Sequence, residues 1–520
     1  MAPIHSRRKP KKAIRLDVVI SVDRCLMSEY HGHEFLGFVA TGPPLFLGTS
    51  LWSRIVCPPV PVDDYGRPLR APYGLRKIEA KLLEEGYRAA IIDPDYLAYY
   101  LQEVRPRALL VGHHDYFALN APSNEWWIIT GKKPLNARSF EEFISMPEIW
   151  VSKKKYGLKI VVGGPAAWQW IVDTSASRKW PVDVVVEGEA DNVIVEIVDR
   201  ILNEGRDLDY HVVVGPEESP RVEDISEIKA PSINGLVEIM RGCPRGCHFC
   251  SVTLKPLRFI PLDRIAREIE VNIRGGVRSV LFQSEDVLLY GARGVEPRPE
   301  PLYRLHRLVS GKPIGFSWSH VSLAAVKRGE ERYKLVSGLS EMLIDGEYRK
   351  FIGVEVGIET GSTKLVERIM PAKSAPYPPS TWPSVVEDSF AIMHENSIIP
   401  VATFILGLPG ETSSDVVATI ELLENLKHYR SLVVPIFFVP LGSLRGEKSI
   451  ISSRDRLSWE HIEALRVALH HSLYWAEKIL PEYMRVGNSI LYRLFLKVLI
   501  EYIKTRARWV EAKLLARVKA

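Results

Sequence analysis

The chain has 520 residues, of which 46% are hydrophobic and 25% charged, with a formal net charge of +5. That content builds packed cores for two or three domains at roughly 150 residues each and excludes a disordered or fibrous chain. So mild a charge does not by itself mark a nucleic-acid binder, and five cysteines in this length exclude the disulfide framework of a small secreted domain.

Residues 1–70 read as an N-terminal extension: a basic arm (Arg7, Arg8, Lys9, Lys11, Lys12, Arg15), then the apolar run Leu16–Val22, a candidate first strand of the next domain. Asp17 interrupts that run, which is too short for a signal segment or a membrane span, and no other stretch reads as one. A cytoplasmic protein without a membrane partner is expected, with Cys25 and Cys57 as isolated reduced thiols.

Residues 71–205 alternate short apolar runs with helical periodicity. A helix is expected from Tyr73 to its capping Gly86, then a strand at Tyr87–Ile92, a helix at Tyr96–Val104, a strand at Ala108–Val111 and a helix near Ser139–Tyr156. Two further strands follow, Leu158–Val162 ending in Gly163-Gly164-Pro165 and Val182–Val186 ending in Glu187-Gly188-Glu189. This alternation predicts a doubly wound parallel sheet, whose ligands sit beyond the carboxyl ends of the strands, where both glycine turns fall. His113-His114-Asp115 ends a strand at the same edge; it could bind metal or handle protons, but loop capping is the commoner use. Residues 206–232, rich in Glu, Asp and Pro with no sustained period, read as a linker.

Residues 233–445 centre on Arg241-Gly242-Cys243-Pro244-Arg245-Gly246-Cys247-His248-Phe249-Cys250-Ser251, directly after the strand-like run Gly235–Met240. Three thiolates on one loop can hold three irons of a 4Fe-4S cluster, one thiolate per iron, and leave the fourth iron open to a ligand. Zinc would need a fourth Cys or His, and His248 lies inside the loop at an unsuitable spacing. Strands are then expected at Ser279–Phe282, Phe316–His320, Phe351–Ile358, Pro400–Leu406 and Leu432–Val439, with an amphipathic helix at Leu262–Arg274. Polar residues gather at strand ends, in Ser284-Glu285-Asp286 above all, as a barrel active site requires. Glu355 and Glu359 share a strand face by the period of two, an arrangement that calls for cations or a ligand. Residues 446–520 are helical and basic towards the end, with Arg493, Lys497, Lys504, Arg506, Arg508, Lys513, Arg517 and Lys519 facing only Glu501 and Glu511. Such charge can meet RNA phosphates, although a solvated face on a packing helix is its more usual role.

The C-x3-C-x2-C spacing, with aromatic Phe249 before the third cysteine and a strand before the loop, resembles the signature of radical S-adenosylmethionine (radical SAM) enzymes. The resemblance implies a partial (β/α)6 barrel over 233–445 and a 4Fe-4S cluster on Cys243, Cys247 and Cys250. The open iron would then be chelated by S-adenosyl-L-methionine, with an electron donor such as ferredoxin or flavodoxin as partner. It further implies that Phe249, Ser284, Glu285, Asp286, Glu355, Glu359, Gly407 and Gly410 surround SAM; the family's usual Gly-Gly-Glu turn is absent at 284–286. Upstream, Ala71–Arg76, Val161–Pro165 and Asp183–Glu189 resemble the cobalamin-binding domain that precedes many such barrels, which implies cobalamin beside Gly163, Gly164, Gly188 and Glu189. None of the 14 histidines has Asp two before and Gly three after it, so the implied cobalamin has no His ligand. A cofactor-free flavodoxin-like domain stays open beside it. The implied activity is reductive cleavage of SAM to abstract hydrogen from a substrate, with cobalamin-dependent methyl transfer to an unreactive carbon as one form of it. Radical chemistry without cobalamin, or an iron-sulfur RNA-binding or assembly protein, are the alternatives. The fold expected is α/β throughout: a flavodoxin/Rossmann-like sheet, the barrel, then the helical end.

Overall fold

Short runs of Val, Ile, Leu and Ala with no polar interruption suit strands covered on both faces, and the computed structural model places six of them side by side. It describes residues 4–32, 35–44, 48–204, 208–449, 451–453, 456–483, 494, 497–506, 508 and 511. The chain divides into two compact units, Met1–Val237 with Ile260–Val280, and Glu238–Phe259 with Leu281–Ala520.

In the first unit, β1 (Val18–Ile20), β2 (Ala89–Ile91), β3 (Ala108–Gly112), β4 (Lys159–Gly163), β5 (Val184–Glu187) and β6 (His211–Val213) lie in the order β2-β1-β3-β4-β5-β6. The five pairings are parallel: Val18 stands opposite Ala89 on one side and Ala108 on the other, Leu110 opposite Val161, and Val185 opposite His211. All residues of β1 and β2 are buried, whereas β6 at the sheet edge is half exposed. The run at Leu16–Val22 is thus an interior strand, and the doubly wound domain reaches back into the stretch expected as an extension.

Three expectations differ from the fold. The stretch 206–232 is not purely a linker, because His211–Val213 adds β6 to the sheet through main-chain pairing that an acidic, Pro-rich composition conceals. The helix Leu262–Arg274, assigned to the barrel, packs within the first unit: Glu268 takes the Lys77 ammonium at 2.5 Å and the Tyr73 hydroxyl at 2.7 Å, and Asn272, one turn on, takes the Ser232 amide at 2.8 Å. The helix read near Ser139–Tyr156 is two helices, Leu135–Ile144 and Pro147–Tyr156, since Pro147 can begin a helix but not continue one.

The remaining strands are β7 (Leu236–Glu238), β8 (Met240–Arg241), β9 (Arg258–Phe259), β10 (Ser279–Gln283), β11 (Gly315–Trp318), β12 (Ile352–Glu359), β13 (Ile398–Leu406) and β14 (Leu432–Phe437). One sheet has the order β11-β10-β7 and another β12-β13-β14, joined by a parallel bridge from His320 to Glu355. Six strands therefore follow one another as β7-β10-β11-β12-β13-β14, the layout of a partial barrel. The helix Trp459–Tyr483 runs against β14, where Ser472 Oγ accepts from Val433 N at 2.8 Å and donates to Val433 O at 2.7 Å. Among the described residues no helix is long and apolar enough to cross a membrane. Of the basic residues near the end, Arg493, Lys513, Arg517 and Lys519 lie outside the described residues.

Candidate functional site

The cysteine loop is closed at its base by antiparallel pairing of β8 and β9, Met240 with Phe259 and Arg241 with Arg258. Its far side rests on Gly442, whose φ is +60°. A Cβ there would lie 2.6 Å from His248 O and 2.8 Å from Cys250 O, so only glycine lets the two backbones approach. The same carbonyl of His248 accepts from Ser443 Oγ at 3.1 Å, and His248 N donates to Ile369 O at 3.0 Å. Within the loop Cys250 N donates to Cys247 O at 3.1 Å and Thr253 Oγ1 to Cys250 O at 2.8 Å. Phe249 packs on Leu365, Ile369, Ile405, Leu408 and Phe438. The loop is held by contacts within its own unit.

Burial pushes the Cys243 thiol up to about 12, the Cys247 thiol up to about 11 and the Cys250 thiol upward as well. Coordination to metal deprotonates such thiols outright. Among the described residues no three His, Cys, Asp or Glu side chains gather about one metal-ion position. Three separate thiols fit the donor set of a cluster that takes one thiolate per iron.

Beside the loop, Arg245 is buried and its Nη1 donates to the carbonyls of Ala372, Lys373 and Ala375 at 3.3, 3.0 and 3.0 Å. Its Nε lies 3.5 Å from Oδ2 of the fully buried Asp286, which also accepts from Ser322 Oγ. Burial raises the pKa of Asp286 against the pull of Arg245, and burial raises that of Glu285. Ser284 is tied by its backbone, N donating to Ser319 Oγ at 2.9 Å and O accepting from it at 2.7 Å. Among the described residues, four buried polar atoms here have no hydrogen-bond or ion-pair partner: Arg245 Nη2, Ser284 Oγ, Glu285 Oε2 and Asp286 Oδ1. Each such atom costs about 1–3 kcal/mol if nothing binds it, so a ligand dense in amino, carboxylate and hydroxyl groups suits this place.

Glu355 and Glu359 do not act as one pair of carboxylates. The register of β12 against β13 shifts between Gly357 and Glu359, and Glu359 has φ +62°, so the period of two fails there. Glu355 Oε2 meets His320 Nε2 at 2.9 Å, while Glu359 Oε1 meets Lys373 Nζ at 2.5 Å. Burial opposes the charge on His320, but Glu355 prevails and raises its pKa; Lys373 is raised in the same way by Glu359 and by Cys247. Lys373 thus sets a buried ammonium beside the thiols, and no motif in the sequence signals it. Arg245 had a signal, a cation inside the C-x3-C spacer. In the turn after β13, Gly407 N donates to Glu411 Oε1 at 2.8 Å, the oxygen that also meets His461 Nε2 at 3.0 Å, and Gly410 lies against the Arg368 guanidinium.

In the first unit the strand order reverses between β1 and β3, and the residues at their carboxyl ends bond to one another. His113 Nε2 meets Asp23 Oδ2 at 2.8 Å and His113 Nδ1 accepts from Asp115 N at 2.9 Å, so both ring nitrogens are committed. Burial would raise the Asp23 pKa, but His113 prevails and lowers it. Asp115 in turn accepts from Gln169 Nε2 at 2.8 Å and Asn136 Nδ2 at 3.1 Å. Gly163 accepts from the Tyr116 hydroxyl at 2.7 Å; Gly164 backs onto His113 and Gly188 onto Val214; Glu189 is buried.

Residues 237–423, which include all three loop cysteines, match the family model described as Radical SAM superfamily. The chain carries a radical SAM domain. An uncharacterized protein of Methanopyrus kandleri is 31% identical over 276 residues, 49% of this chain and 49% of that one. The tRNA-2-methylthio-N(6)-dimethylallyladenosine synthase of Opitutus terrae is 30% identical over 37% of this chain and 38% of its own, and an uncharacterized methyltransferase of Pyrococcus horikoshii is 23% identical over 51% and 58%. The chain thus spans between 38% and 58% of the length of these relatives. Among solved structures, the radical SAM methyltransferase TsrM of Kitasatospora setae, with tryptophan and a SAM analogue bound, aligns over 80% of this chain and 73% of that one at 15% identity and TM-score 0.47.

Proposed function

We propose that the protein is a radical SAM enzyme in which Cys243, Cys247 and Cys250 hold a 4Fe-4S cluster and the polar ends of β10 to β12 receive SAM. The observation that carries this reading is the loop of three thiols, locked against Gly442, beside four unpartnered buried polar atoms. When bound, the cluster would supply one electron for reductive cleavage of SAM, the chemistry on which hydrogen abstraction from a substrate depends. The chain's own part is to bind and orient. Asp286 and Glu285 offer acceptors to an amino group, Arg245 offers donors to a carboxylate, and Lys373 balances the charge of the thiolates. His320, its Nε2 on Glu355, is a proton holder at the end of β11. The electron comes from a partner such as ferredoxin or flavodoxin.

Methyl transfer is a second form of the same reading, supported by the β2-β1-β3-β4-β5 order of the first unit and by the likeness to an uncharacterized methyltransferase. Because both ring nitrogens of His113 are committed, the residues fit cobalamin held without that histidine as ligand. Bound there, cobalamin would carry the methyl group. Likeness to a tRNA-modifying synthase keeps RNA among the substrates, though the cysteine triad that methylthiotransferases carry in their N-terminal domain has no counterpart here, where only Cys25 and Cys57 remain.

Anaerobic reconstitution with iron, sulfide, SAM and reductant, with and without hydroxocobalamin, tests these readings. The protein should yield 5'-deoxyadenosine, and Cys250→Ala should abolish it. A cluster that forms without any SAM cleavage would favour a sensing or assembly role. A corrinoid absorbance that stays with the protein through gel filtration distinguishes the methyl-transfer form.

A further inference from the structure

Cys25 and Cys57, isolated in sequence, meet in the first unit: their sulfur atoms are 3.1 Å apart. Both are free thiols and fully buried. Each is also held in place by bonds of its own backbone. Cys25 N donates to Asp23 Oδ1 at 2.9 Å, its carbonyl accepts from the Tyr30 hydroxyl at 2.6 Å, and Cys57 N donates to Ser53 O at 2.7 Å at the end of the helix Thr49–Val56. A second tie joins the same two stretches, Ser28 Oγ donating to Pro58 O at 3.0 Å. The surrounding framework thus presses two sulfurs closer than unbonded thiols usually rest. Metal binding is a poor account of the pair, because no group of three metal-ligating side chains is found among the described residues. Nucleophilic catalysis is a poor one too, because burial drives the Cys57 thiol far above its usual range and holds it protonated.

We infer that Cys25 and Cys57 are the site of a reversible disulfide that ties Cys25, beside Asp23 at the carboxyl edge of the first unit's sheet, to the end of the helix Thr49–Val56. The oxidant is a low-molecular-weight disulfide. When local opening exposes and ionises one protein thiol, its thiolate attacks a sulfur of that disulfide and releases the first small thiol; the second protein thiol then displaces the other. Two S–H bonds of the protein are replaced by one S–S bond, two electrons pass to the small disulfide, and both protons leave on the two small thiols. The link anchors at Cys25, two residues past Asp23, whose other oxygen meets His113 at the same edge. Cys243, Cys247 and Cys250 belong to the other unit.

The test uses the full, cluster-loaded chain under anaerobic conditions, equilibrated across ratios of oxidised to reduced glutathione, with a parallel series in sub-denaturing urea so that burial cannot shield the thiols kinetically. Samples are acid-quenched, alkylated, digested and mapped by mass. The expected result is one cross-linked peptide pair joining Cys25 to Cys57, rising with the oxidised fraction and lost in dithiothreitol. The unfolding temperature should be several degrees higher oxidised than reduced, and that difference should vanish in Cys57→Ala and in Cys25→Ser. Full alkylation of both residues at every ratio, in urea as well as without it, overturns the proposal, as does a cross-link from either residue to Cys243, Cys247 or Cys250.

Discussion

Replacing Gly442 with alanine should dislodge the cysteine loop from its backrest. The residue sits at φ +60°, where an alanine is strained by about 1–2 kcal/mol. Its Cβ would also arrive 2.6 Å from His248 O and 2.8 Å from Cys250 O. Neither oxygen is free to retreat, since Ser443 and Leu444 donate to the first and Thr253 to the second. Relieving such overpacking typically costs about 1–3 kcal/mol, for a total of about 2–5 kcal/mol placed on the segment that carries Cys247 and Cys250. The measurements are iron content and visible absorbance after anaerobic reconstitution, with 5'-deoxyadenosine release as a second readout. Gly311→Ala is the control, because Gly311 has a similar φ of +71° but nothing within 4 Å of a Cβ, so it carries the strain without the collision. Should Gly442→Ala take up iron and cleave SAM as well as the Gly311 variant does, the loop is not braced as argued.

Lys373→Met leaves the Glu359 carboxylate buried without its cation; breaking such a pair costs about 3–5 kcal/mol, so urea unfolding should shift to lower concentration, and Glu359→Gln in the same chain should restore part of the loss. His306 is wholly buried between two fixed partners, its Nδ1 donating to Leu302 O at 2.7 Å and its Nε2 accepting from Trp318 Nε1 at 2.9 Å. Burial therefore pushes its pKa down to about 4, while the unfolded chain titrates near 6.5. The unfolded state binds the extra proton, so this contribution is complete above about pH 6.5 and fades as pH falls towards about 4, by about 3 kcal/mol. Urea midpoints at pH 7.5 and pH 5 check the direction, and His306→Gln should flatten the dependence; an unchanged slope would show that the ring is not held neutral by its site. Glu411→Gln should weaken the turn after β13 by about 1–2 kcal/mol, because one carboxylate oxygen serves both Gly407 N and His461, and hydrogen exchange at Gly407 should quicken.

Residue order alone settled what is local along the chain. Apolar runs of three to five residues became strands where their neighbours are apolar too, and three thiols within eight positions became one loop, because their distances are set by the covalent backbone. Leu262–Arg274 was legible as a helix by its periodicity, yet not its place, since Glu268 and Asn272 find partners 191 and 40 residues away. Tertiary structure decided which strands adjoin, turned Leu16–Val22 into an interior strand and lent β6 to a sheet that its composition would not announce. It also decided the partners of charge: the bulge in β12 parts Glu355 from Glu359 and hands one to His320, the other to Lys373. Two lone cysteines 32 positions apart became neighbours in the same way. Electrostatics and sulfur contact act over a few ångströms of space whatever the separation in sequence, and only the folded backbone converts the one distance into the other.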